Sequence, residues 1–286
     1  MTAFDYRAAF SRNIGWVTNE EQQTLRKKRL AIAGLGGVGG SHLLTLTRLG
    51  IGAFHIADFD QFEVHNFNRQ AGAMLSTLGK DKAETLAAMA RDINPDLSLK
   101  VFEQGVNDDN LDAFLDGVDL YVDSLDFFAL KAREKVFRAC YEKKIPALTA
   151  APLGMGTAFL AFIPGKMDFD TYFDWHGRSD SEKLIRLSAG LSPAMMQRSY
   201  LKVPEAVNFA EKRGPSVAMA CELCAGLMGV QVLKALLNRG DVVAAPWGLH
   251  FDAYQQKLKK TWRPFGNKNP IQRILMALIR RQLNLE

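Results

Sequence analysis

The 286-residue sequence predicts a doubly wound, Rossmann-like α/β fold: a mostly parallel sheet with helices on both faces, followed by a C-terminal crossing loop, a buried helix and a tail. Two observations carry this expectation. The apolar run Arg29–Leu35 ends in glycines and passes straight into Val38–Leu49, whose apolar residues recur at helical spacing. From there to Ile163 strand-like and helix-like stretches alternate, the pattern of parallel strands joined by crossover helices.

The elements follow in order. Ala53–Phe59 is a strand that ends at Asp58 and Asp60, and Gly79–Ile93 is an amphipathic helix stopped by Asn94-Pro95, because a residue before proline is pushed out of the helical region. Leu97–Glu103 alternates as a strand, Asp108–Leu115 is a short helix, Asp119–Leu125 a strand and Phe127–Lys143 a helix. Ala147–Ala150 and Thr157–Ile163 are further strands. After Pro164-Gly165 the texture changes: Lys166–Arg213 is polar and irregular, with one helix near Ser181–Leu187, and reads as a crossing loop or lid. Ser216–Asn238 lacks a polar face, which predicts a buried helix. Trp247–Lys257 is a late strand. The expected organisation is an N-terminal arm (1–28), a nucleotide-binding core (29–164), residues 165–266 completing the same domain, and a basic amphipathic tail (267–286).

Composition sets bounds. With 48% hydrophobic and 23% charged residues the chain is ordinary globular material, which excludes disorder and collagen-like repeats. No apolar run approaches a bilayer span of about 20 residues, and the start MTAFDYRAAF lacks a secretory profile, so a cytoplasmic location is expected. Three cysteines make free thiols rather than a disulfide framework. Residues 255–286 hold eight Lys and Arg against Glu286 alone, a net of +7, which leaves the remaining chain at −2 within an overall +5. Basic character therefore belongs to the tail. There Ile271, Ile274, Leu275, Leu278 and Ile279 share one helical face, which is expected to dock on the body or a dimer partner; an anionic membrane and nucleic acid are the other readings.

Chemistry concentrates around one turn. Gly34-Leu-Gly36-Gly37-Val-Gly39 lies between strand and helix, where glycines let backbone approach a nucleotide and a helix N-terminus meets phosphate. Asp58, at the end of the next strand, is placed to hold ribose hydroxyls. These features indicate an adenine nucleotide without separating NAD from ATP. Downstream, Arg69 and Lys82 supply fixed positive charges for a polyphosphate and Asp126 a carboxylate for Mg²⁺, equipment that a hydride-transfer site has no use for. Each has a plainer structural reading: Lys82 an exposed helix-start residue, Arg69 a surface ion pair, Asp126 a helix N-cap. The five histidines are scattered and read as packing or surface residues, and Asp174-Trp175-His176 is a weak candidate for a substrate mouth.

In order along the chain stand Ser11-Arg12-Asn13, the G-x-G-G-x-G turn, Asp58-x-Asp60 followed by Asn66-x-x-Arg69-Gln70, Gly79-x-x-Lys82, Ile93-Asn94-Pro95 and the strand-end Asp126. This set resembles the ThiF/MoeB superfamily of ATP-dependent adenylating enzymes, to which the ubiquitin-activating enzymes also belong. The resemblance implies Mg²⁺- and ATP-dependent activation of a substrate carboxylate as an acyl-adenylate, by a homodimer. It places Gly34, Gly36, Gly37, Gly39, Asp58 and Asp60 at the nucleotide, Asn66, Arg69 and Lys82 at the phosphates, Asp126 at the metal, and Arg12 in the site of the other subunit.

The sequence also departs from the pattern. Many relatives hold a structural Zn²⁺ with two C-x-x-C pairs, whereas only Cys221-x-x-Cys224 is present, so no such zinc site is expected. Lys166–Arg213 contains no cysteine, which argues against a thioester intermediate, and Phe127 stands where relatives commonly have Asn. Length, missing zinc and the cysteine-free loop resemble the tRNA threonylcarbamoyladenosine dehydratases of that superfamily. Candidate substrates are a small carboxylate, a peptide or protein C-terminus, or a carboxylate on tRNA. An NAD(P)-binding oxidoreductase and a non-catalytic binding subunit are the alternatives.

Overall fold

The computed structural model describes residues 4–209 and 211–282, which form two compact units. The first comprises Met1–Leu125 with Ala225–Val242, the second Asp126–Cys224 with Val243–Glu286.

The first unit opens with two helices in the predicted arm, α1 (Tyr6–Ala9) and α2 (Asn19–Arg26). Thr18 starts α2 through a reciprocal capping box with Glu21. Then come β1 (Arg29–Ala33), α3 (Gly39–Arg48), β2 (Ala53–Ala57), α4 (Lys82–Ile93), β3 (Ser98–Phe102), α5 (Leu111–Leu115) and β4 (Leu120–Asp123). Strand order is β3-β2-β1-β4 and every pairing is parallel. The middle strands read as continuous apolar runs because both faces are covered: all of β2 and β4, and all of β1 after Arg29, are buried. This is the Rossmann-like half that the alternation predicts.

In the second unit α6 (Leu130–Glu142) is followed by β5 (Ala147–Leu153), β6 (Gly156–Phe162), α7 (Phe169–Phe173) and α8 (Asp180–Leu191). The long helix α9 (Ala218–Leu237) runs from this unit into the first, and β7 (Trp247–Asp252), β8 (Lys257–Trp262) and α10 (Pro270–Gln282) complete the chain. Strands β5 to β8 pair in sequence order, all antiparallel. The single late strand of the sequence reading is thus a hairpin, with β8 its exposed second arm.

Three expectations change. Lys166–Arg213 is less irregular than expected: the helix expected near Ser181–Leu187 is present as α8, α7 is additional, and Phe169, Tyr172, Phe173, Ile185 and Leu187 on the two are buried. Trp175 lines no mouth. It is fully buried against Phe169 and Phe173, and its indole N–H donates to Glu134 at 3.0 Å. Helix α9 is buried on one face only: Cys221, Cys224, Ala225, Met228 and Val232 are covered, whereas Met219 and Val230 are exposed. It reaches 20 residues with a mean hydropathy of 1.6, so one apolar run does attain the length of a span, and its buried face marks it as a core helix.

Ion pairs lock the helices of the second unit together. Glu134 of α6 takes Lys183 of α8 at 2.6 Å and Arg138 at 3.0 Å. Asp174 takes Arg186 and Arg178, and Glu182 of α8 takes Arg280 of α10 at 2.7 Å. Helix α10 docks on α8, where Met276 and Ile279 meet Ile185 and Ala189. The docked face only partly matches the predicted one: Ile279 and Leu275 of the stripe pack on α8, whereas Ile271, Ile274 and Leu278 remain exposed. Residues 283–286 of the predicted tail helix lie outside the described residues.

Burial raises the pKa of Glu134, but bonds from Lys183 and Trp175 outweigh it and hold the carboxyl below its usual range; Glu182 is held down in the same way by Arg280 and Arg186. Both carboxylates therefore bind protons less readily folded than unfolded. Their contribution is complete above the unfolded value near 4.5 and disappears as the pH falls through the folded values. We expect thermal stability to decline as the pH drops below about 4.5, and Glu134→Gln to flatten that decline; superimposable melting curves against pH for the two proteins would contradict this.

Candidate active site

Close packing shapes the glycine turn. Gly34 has a φ of +85° and its N–H donates to the Ala57 carbonyl at 2.8 Å, so the chain leaves β1 in a conformation that L side chains rarely adopt. A Cβ there would collide with the carbonyl of Ser124, and one on Gly39 would collide with that of Gly34. Gly36 differs, because the only atom near its Cβ position is the Gln70 side-chain nitrogen at 3.7 Å. Gly36 and Gly37 are partly exposed. Helix α3 begins at Gly39 with no side chain capping its first amides, which leaves an N-terminus suited to an anion.

One hydrogen-bonded chain leads away from this turn. Asp58 accepts from the Leu35 N–H at 2.6 Å on one carboxylate oxygen and from the Asp60 N–H at 2.8 Å on the other. Burial pushes the Asp58 carboxyl up, while these bonds and the Lys82 ammonium pull against that. Asp60 in turn accepts from Lys82 Nζ at 3.0 Å, and its carbonyl takes the Lys82 backbone N–H. Lys82 is only 5% exposed, so it is not the exposed helix-start residue that its position allowed. Gly34–Gly39, Asp58, Asp60 and Lys82 are thereby brought together.

The loop between β2 and α4 carries the other candidates. Asn66 is buried, and its side-chain oxygen accepts from the Glu63 N–H at 3.0 Å, an intraloop bond that fixes the turn. The Arg69 guanidinium donates to the His65 carbonyl and the Asn68 side-chain oxygen, both neutral; no carboxylate pairs with it among the described residues, so the surface ion pair is not formed. Arg12 is exposed, on a short 3-10 turn between α1 and α2. Asp126, the first residue of the second unit, is exposed and accepts from the Phe128 N–H at 2.8 Å, a turn bond ahead of α6; Ala129 and not Asp126 is the N-cap of that helix, so the N-cap role is not realised. Its neighbour Phe127 packs on Phe128 and Phe209.

Two further residues sit at the turn. Gln70 is buried with its amide nitrogen facing Gly36 and its side-chain oxygen without a partner among the described residues; its place in the Arg69-Gln70 pair was the available signal. His42, fully buried in α3, bonds through Nδ1 to Ser124 Oγ at 2.9 Å, beneath Gly34 and Gly39. Nothing in its sequence context distinguished it.

The chain is similar to known proteins. The chain is 31% identical over 142 residues to a tRNA threonylcarbamoyladenosine dehydratase of Bacillus subtilis (49% of this chain, 55% of the relative), and 29% identical over 136 residues to a molybdopterin-synthase adenylyltransferase of Salmonella typhimurium (48% and 54%). It spans about half the length of the curated relatives it matches. Among solved structures, Escherichia coli MccB with ATP superposes with a TM-score of 0.64 at 19% identity, covering 88% of this chain and 69% of that one. Escherichia coli TcdA, a tRNA N6-threonylcarbamoyladenosine dehydratase, gives 0.60 at 20% identity over 82% and 95%. At such identities these structures establish the fold. Residues 10–272 match the ThiF family, to which this chain belongs.

Proposed function

We propose that this protein is an ATP-dependent adenylating enzyme that activates a substrate carboxylate as an acyl-adenylate and forms no thioester on its own cysteines. The observation that carries the proposal is the buried Lys82 ammonium, fixed by Asp60 and tied through Asp58 to the glycine turn that leads into the uncapped N-terminus of α3. A ribose-type carboxylate, a phosphate-type N-terminus and a preorganised cation in one bonded chain suit a nucleoside triphosphate. A hydride-transfer site gives that cation no task, which disfavours the NAD(P) reading.

In the proposed reaction a carboxylate oxygen bonds to the α-phosphorus, and the bond to the bridging oxygen breaks, so that pyrophosphate leaves with the electron pair. Negative charge grows on the phosphoryl oxygens, where Lys82, Arg69 and the first amides of α3 act as fixed donors that need no reorganisation. Asp58 orients the ribose. Asp126 fits a Mg²⁺ ligand, since it is exposed and only one of its oxygens is engaged; Mg²⁺ takes one or two carboxylates together with phosphate oxygens. Held by Asp126, such an ion would supply positive charge to offset that of the phosphates.

The cysteines support the absence of a thioester step. All three thiols are buried, and burial pushes that of Cys224 up, away from the reactive thiolate; Cys224 bonds to Thr157 Oγ1 instead. The proposed assembly is a homodimer in which Arg12 acts in the partner's site. Four residues along, Trp16 is 84% exposed although its carbonyl is held by Arg239, which itself pairs with Glu21. An exposed indole on a bonded backbone, four residues along the chain from an exposed arginine, suits an interface between two copies. Substrates within this proposal are a small carboxylate, a peptide C-terminus or a carboxylate on tRNA; the dehydratase relatives favour the last.

ATP–pyrophosphate exchange, screened with carboxylates, peptides and tRNA, tests the reaction; exchange with none of them, or NAD(P) reduction, would overturn it. We expect Lys82→Ala, Arg69→Ala and Asp126→Ala each to lower exchange at least ~100-fold with the fold intact. Near-wild-type rates in all three would exclude the assignment. Gly36→Ala and Gly39→Ala should separate binding from folding. The first meets no close neighbour and should weaken ATP binding at unchanged thermal stability, while the second should cost about 1–3 kcal/mol or more. Finally, mixing inactive Arg12→Ala with inactive Asp126→Ala protein should restore exchange, because one composite site is then intact; no recovery after verified subunit exchange would place Arg12 outside its partner's site.

A further inference from the structure

Helix α10 turns most of its best apolar stripe toward solvent. At about 100° per residue Ile271, Ile274, Leu275, Leu278 and Ile279 cluster on one side, and burying that side would remove the most apolar surface from water. The structure instead buries Gln272, Met276 and Ile279, with Leu275 partly covered, a rotation of roughly a quarter turn. Ile271, Ile274 and Leu278 are left 59%, 64% and 49% exposed.

Gln272 sets this rotation. It is fully buried; its side-chain nitrogen donates to the Ala189 carbonyl at 3.0 Å and to Asn267 at 3.1 Å, and its oxygen accepts from Arg263 at 3.2 Å. Turning the stripe inward would break all three bonds and strand their partners. The stripe is thus held outward by a polar anchor.

Charge identifies what fits against it. Residues 257–282 contain eight Lys and Arg and not one Asp or Glu. Arg280 is paired with Glu182, Lys268 lies 3.7 Å from Asp174, and Lys260 sits over the Trp247 ring. Lys257, Lys259, Arg273 and Arg281 have no carboxylate partner among the described residues. By helical spacing Arg281 lies beside Ile274, on the outward side of α10. Leu258, Trp262 and Phe265, also exposed, precede the helix in the same acid-free segment.

We propose that the outward face of α10 docks on an anionic lipid bilayer. The helix lies along the surface, with Ile271, Ile274 and Leu278 entering the acyl boundary and Arg273 and Arg281 meeting headgroup phosphates. A second copy of the chain would set like charges against each other. A polyanion such as RNA would satisfy the cations and leave the aliphatic stripe in water. An anionic bilayer satisfies both.

The test is co-sedimentation of the full chain with phosphatidylcholine vesicles, neutral or carrying about one third phosphatidylglycerol, at low and moderate salt. Retention on the anionic vesicles and little on the neutral ones is expected. Ile274→Glu combined with Leu278→Glu should lower retention at least about tenfold; both side chains are exposed, so the circular dichroism and melting temperature should not move. Arg273→Gln with Arg281→Gln should weaken retention in parallel and reduce its salt dependence. Three results would overturn the proposal. One is no retention on anionic vesicles. Another is retention that ignores the Glu pair, which would mean attraction to phosphate alone. The third is conversion of an oligomer to a smaller species by the Glu pair, which would show that another copy covers the stripe.

Discussion

The carboxylate of Asp58 is the constraint on which the rest of the site depends. One of its oxygens holds the backbone of Leu35 inside the glycine turn and the other holds that of Asp60, so the distance between two loops is set by a single side chain. Asp60 then fixes the Lys82 ammonium, and Lys82 begins α4. Burying a carboxylate is costly unless its oxygens are satisfied. The same two N–H bonds that position the loops offset that cost, together with the nearby ammonium. Structure and prospective chemistry therefore share one set of bonds.

The turn is rigid for a second reason, which is steric. Gly34 and Gly39 are pressed together, with the Ser124 carbonyl against the first, and His42 secures Ser124 from below. Gly36, by contrast, has room at its Cβ position, with Gln70 Nε2 at 3.7 Å. A backbone so crowded on its protein side and so open on the other presents amides in one direction, which is the preorganisation that charge stabilisation requires.

In the second unit buried and partly buried polar groups decide how apolar helices are oriented. Glu134 gathers Lys183, Arg138 and the Trp175 indole, Glu182 gathers Arg186 and Arg280, and Gln272 anchors α10. Apolar packing is non-directional and accepts many rotations of a helix. Hydrogen-bonded groups accept one, because stranding a buried polar group costs more than covering a few further apolar atoms returns.

Local patterns in the sequence determined much of this protein. The parallel half was legible because buried strands are continuous apolar runs and the glycine turn has its own spacing, and the ordered residues from Arg12 to Asp126 indicated the family to which residues 10–272 belong. Other features needed the tertiary structure. Whether Lys82 was an exposed helix start or a buried, paired ammonium depended on Asp60, 22 residues away. Within Lys166–Arg213 the helix near Ser181–Leu187 was legible and is α8, whereas the five-residue α7 escaped because its apolar residues meet partners on α6 rather than repeating over a long stretch. Periodicity found the apolar stripe of α10, of which Leu275 and Ile279 dock, but not the helix's rotation, because a stripe records which residues avoid water and not which bonds fix a rotation. Gln272, a polar residue, made that choice through Ala189, Asn267 and Arg263, partners that come within reach only once the chain has folded.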